Sequence, residues 1–411
     1  MGNFSIALSG LRANSVALST IGNNLANLNT TAFKGQTTSF EDLFYQQIGS
    51  SGSGDAIQVG AGTRVAGTST DFTEGTILPD SNANSADMAL AGNGFFVVQQ
   101  GGVQSLTRAG NFQLSSSGGL ITQDGQQVMG YAAVNGVVNQ NSSLTPITIP
   151  VGLNEGAQAT QNISVTTNLN SNATVGTTFS SPVQIFDSLG QSHQVTVSYT
   201  KTATNTWNYS VDLPAGDFTG VPSNNTGTLT FNSSGNLVSP AGSVNNITFP
   251  TLVDGASNLS FNWNLNNSSG TPTISQLAAA SSNTANSQDG FTSGVYQSFT
   301  VDSSGVITAQ FSNGRTSTIG QLAVATVANT AGLTASGGNN YMTTAASGLA
   351  TIGVAGVGGR GTVDDAALEQ SNVNIATEFS NLIIAQRAFE ANSKTVTTFD
   401  TISQDVISMV R

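Results

Sequence analysis

The sequence predicts a mainly β protein with α-helical termini: two nested antiparallel β-domains plus an N- and C-terminal coiled-coil-like helix pair. At both ends of the chain apolar residues repeat at steps of three and four, as on one face of a helix. Between the ends apolar and polar residues alternate with a period of two, as in half-buried strands. Gly is frequent, with 46 of 411 residues, and only 8% of residues are charged. This composition is typical of turn-rich β-structure.

The N-terminal stretch carries a heptad-like apolar seam, which predicts a helix over residues 1–30. A connecting segment at 31–71 follows, and its GSSGSGDA stretch at 49–56 has the composition of a flexible linker. The polar Asn14 falls on the seam, where it either specifies register or faces water. The apolar seam residues are Phe4, Ala7, Leu11, Leu18, Ile21, Leu25 and Leu28.

The C-terminal stretch contains neither Gly nor Pro from residue 364 to residue 410, which predicts one long helix over 363–411. Asp364 and Asp365 would stand at its N-terminus, where carboxylates complement the helix dipole. Two polar residues, Gln386 and Ser393, fall on the seam with the same two interpretations as Asn14. The apolar seam residues are Ile375, Phe379, Leu382, Phe389, Val396, Phe399, Ile402 and Val406.

Two composition shifts, near residues 135–150 and 278–294, divide the β-rich part of the chain. They predict a first β-domain at 72–148, a second β-domain at 149–290 and a return to the first at 291–362. In the second domain, strands are indicated by the alternation of Val195, Val197 and Tyr199 with polar residues. Asn313-Gly314 is the strongest hairpin signal.

The terminal helices offer more apolar surface than one pair can bury. The C-terminal helix is longer and has apolar residues off its seam, at Val373, Ile383, Ile384 and Val410. Burying one such side chain is worth about 1.5–3 kcal/mol, and ordering one backbone residue costs about 1–2 kcal/mol. We therefore expect the ends to fray in a free monomer and to become ordered when copies assemble.

Composition also excludes several classes of partner. The net charge is −12, and the 10 Lys and Arg residues form no cluster, so no nucleic-acid partner is expected. No run of 18 apolar residues predicts a membrane span. Without Cys there is neither a disulfide nor a thiolate metal site. The N-terminus lacks the pattern of a secretory signal, which by itself predicts a cytosolic protein.

Catalytic, metal and cofactor sites are not predicted. His193 is the only histidine, and without Cys or clustered carboxylates it is predicted to be a surface strand residue, so the chain is not expected to be an enzyme. GVGGRG, with Gly356, Gly358 and Gly361, matches G-x-G-x-x-G, but no strand is predicted after it, so no dinucleotide cofactor is expected. Gly356, Gly358 and Gly359 instead predict a flexible hinge before the C-terminal helix.

The stretch GNNLANLNTTAFKG at 22–35 resembles the N-terminal signature of bacterial flagellar rod and hook proteins. Ala32 stands where that family usually has Gly. GNGFFVV and LTRAGNFQLSSSGGLITQDGQQVMGY resemble the first β-domain of the family, and FSNLIIAQRAFEANSKTVTTFDTISQDVISMV resembles its terminal helix. The signature residues are Asn23, Asn24, Ala26, Asn27, Thr30, Phe33 and Lys34.

The middle stretch TFSSPVQIFDSLGQSHQVTVSYTKTATNTWNY is similar to the additional outer domain of the hook members, which distal rod members lack. The resemblance implies a structural subunit that forms a flexible, curved, hollow tube and transmits torque as a universal joint, with the terminal helices as its inner core. It also implies an extracellular location, reached by export without a cleaved signal peptide, in place of the cytosolic expectation. The implied partners are further copies, rod, hook-cap and hook–filament junction proteins. A distal rod component and a β-rich surface adhesin are the alternatives.

Overall fold

The computed structural model describes residues 2–50, 52, 56–81, 84–152 and 154–409. The chain divides into two compact units. The first comprises Met1–Val151, Phe299–Ala309 and Ser317–Arg411, and the second comprises Gly152–Ser298 and Gln310–Thr316. The second unit therefore includes residues 310–316, which the predicted domain at 149–290 omits.

The first unit begins with helix α1, Gly2–Ala26. Its strands before residue 151 are β1 (Gln36–Asp42), β2 (Gln46–Ser50), β3 (Ala56–Val59), β4 (Thr63–Thr70), β5 (Ile77–Pro79), β6 (Met88–Ala91), β7 (Phe95–Gln100), β8 (Val103–Thr107), β9 (Gln113–Leu114), β10 (Leu120–Ile121), β11 (Gln127–Val134), β12 (Val137–Val138) and β13 (Thr145–Pro146).

The next strands along the chain belong to the second unit. They are β14 (Asn154–Glu155), β15 (Asn162–Asn170), β16 (Thr178–Phe186), β17 (Ser192–Ala203), β18 (Thr206–Asp212), β19 (Thr226–Phe231), β20 (Leu237–Ser239), β21 (Ser243–Phe249), β22 (Leu259–Asn264), β23 (Ile274–Leu277) and β24 (Ser282–Gln288).

The remaining elements end with a long helix. The strands are β25 (Gly294–Val301), β26 (Val306–Phe311), β27 (Thr316–Leu322), β28 (Val324–Thr326), β29 (Thr334–Gly337), β30 (Asn340–Met342), β31 (Thr351–Gly353), β32 (Thr362–Asp365) and β33 (Ala367–Glu369). A 3₁₀ turn covers Thr330–Gly332, and helix α2 covers Ile375–Met409.

The second unit contains two five-stranded sheets with one shared apolar core. One sheet has the order β16-β17-β18-β19-β20, and the other has β21-β22-β15-β23 with β24 paired to β15. The predicted alternation is confirmed in β17, where Val195, Val197 and Tyr199 are buried. Side chains from both sheets, among them Trp207 and Trp263, meet in one buried cluster. Period-two patterning therefore gives each sheet one apolar face, and the two faces cover each other.

Strand direction in the second unit differs from the prediction of purely antiparallel sheets. β15 runs parallel to both β22 and β23. A parallel pair needs a crossover between its strands. Here the whole first sheet lies in sequence between β15 and β22, so local turn signals could not reveal the pairing.

In the first unit β11 is the strand with the most partners, pairing with β7 and β27 along its length and with three short strands. β7 also pairs with β8, and β8 with β30. The core around them includes an edge-to-face aromatic group of Phe72, Phe95 and Tyr341. Two short ladders, β5 with β33 and β6 with β32, join the segment before α2 to strands near residues 77–91.

The connecting segment predicted at 31–71 contains regular structure. β1 pairs with β4, and β2 pairs with β3, both antiparallel. Residues 51 and 53–55 of the predicted linker at 49–56 lie outside the described residues. The strands on either side of them pair with each other, with Ser50 opposite Ala56.

Candidate assembly surface

Helix α1 packs on α2 through small side chains. At Gly10 an added Cβ would lie 2.9 Å from the Asn392 Oδ1 atom, so the end of the Asn392 side chain would have to move. Small residues at every third or fourth position bring two helix axes close together. Helix α1 also packs on β1 and β4, and its buried residues are Ala7, Gly10, Ala13, Ala17, Thr20, Ile21 and Asn24.

The predicted apolar seam of α1 is therefore not the face that the single chain buries. Of its seven residues only Ala7 and Ile21 are buried, while Phe4 is 44% exposed. The buried face of α1 is rotated by about one residue from the predicted seam. Ala13 and Ala17 are buried, where the seam prediction has Asn14 and Leu18. The half-buried seam residues are Leu11, Leu18, Leu25 and Leu28. Leu28 also lies beyond the end of the helix at Ala26.

Helix α2 buries even less. Ala385 is its one buried residue. Four residues of the predicted seam, Leu382, Phe389, Val396 and Phe399, are half-buried, whereas every residue from 400 to 409 is exposed. The exposed large apolar residues of α2 are Ile375, Phe379, Ile383, Ile384, Ile402, Val406, Ile407 and Met409.

The length of α2 explains part of this exposure. It has 35 residues against 25 in α1, and at 1.5 Å per residue the helices measure about 52 and 37 Å. Only part of α2 can find a partner in α1. The apolar residues at its far end therefore remain in contact with solvent in the single chain.

The start of the long helix corrects the prediction of a helix over 363–411. The helix begins at Ile375, because the Asn374 Oδ1 atom accepts hydrogen bonds from the amides of Ala376 and Thr377 at 3.0 and 3.1 Å. This is an N-cap. The stretch without Gly or Pro carried the predicted start back to residue 363, and the prediction missed the Asn that stands before the first apolar helical residue.

Asp364 and Asp365 are correspondingly not at a helix N-terminus. They lie in β32, opposite Ala89 and Met88 of β6. The Asp365 carboxylate accepts hydrogen bonds from the amides of Val301 and Ala366, at 3.3 and 3.0 Å. Burial raises the pKa of this carboxyl group, against the effect of those two hydrogen bonds. Its function is to support a strand.

The Lys34 side chain of the signature is fully buried in an ion-pair network. Its Nζ atom lies 2.6 Å from the Glu369 Oε1 atom and 2.7 Å from the carbonyl oxygen of Thr73. The Arg108 Nε atom lies 3.1 Å from the Glu369 Oε2 atom. Burial lowers the pKa of Lys34, although the hydrogen bond to Glu369 opposes this. One carboxylate thus compensates two buried cations, and it joins the segment after α1 to the segment before α2.

Asn24 connects the same two regions. Its Oδ1 atom accepts a hydrogen bond from the amide of Gln36 at 2.9 Å, and its Nδ2 atom donates to the Gln36 carbonyl oxygen at 2.8 Å. Nδ2 also lies 3.3 Å from the Glu378 Oε1 atom in the first turns of α2. Asn372, outside the signature, makes a matching contact by accepting from the amide of Gly35 at 2.8 Å.

The other signature residues form the turn after α1. The Asn27 Nδ2 atom donates to the carbonyl oxygen of Asn23 at 2.9 Å, and the Thr30 hydroxyl donates to the Asn27 Oδ1 atom at 3.0 Å. The Phe33 amide then donates to the Thr30 carbonyl oxygen at 3.2 Å. Ala26 is the exposed last residue of the helix.

Ala32 adopts the conformation that a glycine would favour. Its φ is 54°, in the left-handed region, and its amide donates to the Glu369 carbonyl oxygen at 2.8 Å. Ala pays a steric cost there that Gly does not. The replacement therefore keeps the turn and stores some strain in it.

The glycine run at 356–359 does not lie directly before the long helix, where the hinge was predicted. Gly356, Gly358 and Gly359 have φ of 74°, 66° and 78°, and they form a turn between β31 and β32. The amide of Gly356 donates to the Gly361 carbonyl oxygen at 2.9 Å, which closes the turn. Two strands follow the run before α2 begins, so it does not adjoin the helix.

The prediction that His193 lies on the surface is also wrong. The side chain is 6% exposed. The carboxylates of Asp187, Asp217 and Asp254 surround it. Asp187 lies only six residues before His193, but Asp217 and Asp254 come from more distant parts of the chain, so the sequence did not reveal the cluster.

Neither described helix has an apolar stretch long enough to cross a lipid bilayer.

Four sequence families match the chain from its start to near its end. Residues 4–34 match the flagella basal body rod protein family, and residues 89–170 match the D1 domain of flagellar hook protein FlgE/F/G. Residues 153–291 match the D2 domain of flagellar basal body protein FlaE, and residues 365–409 match the C-terminal family of flagellar basal body rod FlgEFG proteins.

Curated relatives extend over nearly all of the chain. The flagellar hook protein FlgE of Salmonella typhimurium is 34% identical over 422 residues, covering 99% of this chain and 100% of the relative. The Escherichia coli protein of the same name is 35% identical, covering 99% of both chains. That of Treponema pallidum is 31% identical, covering 98% of both.

A solved structure has a similar fold. The crystal structure of Helicobacter pylori flagellar hook protein FlgE2 aligns with a TM-score of 0.54 at 16% identity, covering 71% of this chain and 100% of that one. The relatives that span nearly the whole chain and the solved structure are all flagellar hook proteins. The chain belongs to the flagellar hook protein FlgE family.

Proposed function

We propose that this chain is a structural subunit of the bacterial flagellar hook and that it polymerises with further copies of itself. The observation that carries the proposal is the row of apolar side chains left exposed along α2. Phe379 is 50% exposed and Ile384 is 66% exposed. The exposed large apolar residues of α2 form two groups, at 375–384 and at 402–409, and exposed apolar surface of this kind marks a site where other protein binds.

Burial of these side chains on assembly would supply hydrophobic free energy that the single chain does not gain on folding. Covering each of these side chains completely is worth about 1.5–3 kcal/mol. Several would have to be covered together, because association first costs translational and rotational freedom. The eight exposed large apolar residues of α2 meet that requirement.

A groove beside α1 supports one place where a neighbouring copy would bind. A groove of about 320 Å³ lies among α1, β1 and α2, lined in part by Ile21, Phe40 and Ile384. The exposed end of α2, residues 400–409, has the apolar side chains to fill such a groove on the next copy. Two different surfaces would then meet, and a contact of that type repeats into an open helical polymer.

The finer features of the hook assignment come from the family resemblance. The polymer would be a curved, hollow tube that transmits torque as a universal joint, with the terminal helices innermost. Rod, hook-cap and hook–filament junction proteins would be its neighbours. The chain would reach the outside of the cell through the growing flagellum without a cleaved signal peptide.

Electron microscopy of polymers grown from the purified chain tests the proposal. We expect curved tubes from the unchanged chain and none from Ile402→Asn/Val406→Asn. The monomer of this variant should be as stable as the unchanged monomer, because both side chains are exposed. Thr397→Asn/Thr401→Asn is the matched control, since these exposed polar residues lie on the same stretch of α2. It should polymerise.

Other results distinguish the alternatives. Straight tubes would favour a distal rod component. Full polymerisation by Ile402→Asn/Val406→Asn would show that the α2 stripe is not the assembly surface, and no polymer under any condition would favour an adhesin.

A further inference from the structure

The buried histidine of the second unit lies among three carboxylates. His193 comes from β17, and Asp187 follows β16 in the turn that joins these two strands. Asp217 and Asp254 come from two loops that a hydrogen bond connects, from the amide of Val253 to the Asp217 carbonyl oxygen at 3.0 Å. Backbone structure therefore holds all four side chains in place.

The two ring nitrogens of His193 have different surroundings. The Nδ1 atom lies 3.2 Å from the Asp217 Oδ2 atom. The Nε2 atom lies 3.0 Å from the Asp187 Oδ2 atom and 3.3 Å from the Asp254 Oδ2 atom. A ring nitrogen carries at most one proton. Protonation of Nε2 can therefore serve only one of the two carboxylates well.

The charges of the cluster are also unbalanced. Even a fully protonated imidazole gives this cluster a net charge of −2 when the three carboxylates are ionised. The Asp187 Oδ1 atom accepts hydrogen bonds from the amides of Leu189 and Gln191 at 2.8 and 3.0 Å, which stabilise its ionised form.

We propose that this cluster binds a divalent cation of the zinc type, with the His193 Nε2, Asp187 Oδ2 and Asp254 Oδ2 atoms as ligands. Zinc bonds to nitrogen and oxygen measure about 2.0–2.2 Å, so ligand atoms around a tetrahedral zinc are about 3.3 Å apart. The separations of 3.0 and 3.3 Å from Nε2 are close to that value, and all three ligand atoms lie within 4.8 Å of one another.

The surroundings supply the other parts of a metal site. Asp217 would hold the proton on Nδ1 and so direct the lone pair of Nε2 to the cation, as carboxylates do for metal-bound histidines. A cavity of about 320 Å³ lined by His193, Asp217 and Asp254 has room for water as the fourth ligand. The bound cation would join the β16–β17 turn to the loop between β21 and β22.

The test uses the full chain without a histidine tag, because a tag binds zinc itself. After treatment with a chelator, the chain is titrated with zinc chloride by calorimetry. We expect one zinc ion per chain. His193→Ala and Asp254→Asn should each abolish this binding, and Asp217→Asn should weaken it by about 10–100-fold.

Asp212→Asn is the matched control. Asp212 is an exposed carboxylate of the same unit, in β18, and its strand position is opposite Thr196. This variant should bind zinc like the unchanged chain. Asp254→Asn keeps the test valid if His193→Ala does not fold, because the Asp254 side chain is 27% exposed.

Two results would overturn the metal site. One is the absence of zinc binding by the unchanged chain, which would leave the cluster as an imidazolium among carboxylates. The other is binding that persists in Asp254→Asn and in folded His193→Ala. Neither result bears on polymerisation, so the site and the proposed function can fail separately.

Discussion

The second unit and the paired terminal helices differ in where their apolar side chains go. In the second unit two sheets cover each other, and large residues such as Trp207 and Trp263 are completely buried. In α2 the one buried residue is Ala385, while Ile384 beside it is 66% exposed. Both regions have clear apolar periodicity. Periodicity therefore tells which face is apolar, and the presence of a partner decides whether the chain itself can bury that face.

This difference indicates two kinds of stability within one chain. The second unit gains its hydrophobic free energy on folding, since its core is complete. The helices gain only part of theirs, and the end of α2 beyond Phe399 gains none from α1. Because α1 has a packed face, we now expect fraying in the monomer at the far end of α2 and not at both ends of the chain.

The largest expected effect is in the core of the second unit. Trp263→Ala removes a fully buried side chain and should lower the free energy of unfolding by about 3–5 kcal/mol. Urea unfolding followed by the fluorescence of Trp207, the other tryptophan, measures it. The exposed Val221 provides the control, since Val221→Ala should change stability by less than about 0.5 kcal/mol. Equal effects would mean that the core is not as complete as described.

The junction between the helices should respond almost as strongly. Glu369→Gln leaves Lys34 and Arg108 buried without their carboxylate, which should cost about 3–5 kcal/mol in the first unit. Glu41→Gln breaks an ion pair with Arg64 whose side chains are 41% and 65% exposed, and should cost at most about 1 kcal/mol. Amide exchange at Ala32, which donates to the Glu369 backbone, reports the loss. No difference between the two variants would contradict a buried network.

The same junction predicts a smaller, pH-dependent effect. Burial lowers the pKa of Lys34 below 10.5 in the folded chain, so the unfolded chain holds this proton to higher pH. Stability then rises with pH as Lys34 deprotonates in the folded state. Without its carboxylate Lys34 should deprotonate at lower pH still. The difference in stability between Glu369→Gln and the unchanged chain should therefore become smaller towards pH 10.5. Urea unfolding of both across the alkaline range measures this difference. A difference that stays constant with pH would contradict the expectation.

The smallest effects are expected in α1, and they should have opposite signs. Gly10→Ala places a methyl group against Asn392 and should destabilise the helix pair by about 1 kcal/mol after the gain in helix propensity. Gly22→Ala meets no atom within 4 Å and should stabilise α1 by about 0.5–1 kcal/mol. Thermal unfolding followed by the helical circular dichroism signal compares the stability of the two variants. Stabilisation by both would mean that the two helices do not approach closely at Gly10.

Local patterns predicted much of the fold. Alternation in β17 indicated burial directly, because a strand in a sandwich has one inner face. The seam spacing identified both terminal helices. It could not identify the contact face of α1, because Ala13 and Ala17 carry little hydrophobic signal, although their small size is what permits close packing.

Other features depended on contacts between distant residues. Asp254 and His193 meet only after four strands have folded between them, so no local spacing revealed their cluster. The parallel pairing of β15 has the same cause. The N-cap at Asn374 was the exception, since an Asn before an apolar helical residue is a signal that the sequence does contain.

Hydrogen exchange of α2 tests the central claim most directly: its apolar stripe is buried only when copies assemble. Exchange of the amides at 400–409 is compared between the monomer and sedimented polymer by mass spectrometry, with β17 as the internal reference. We expect fast exchange at 400–409 in the monomer and strong protection in the polymer, while β17 is protected in both. Equal exchange at 400–409 in the two states would contradict it.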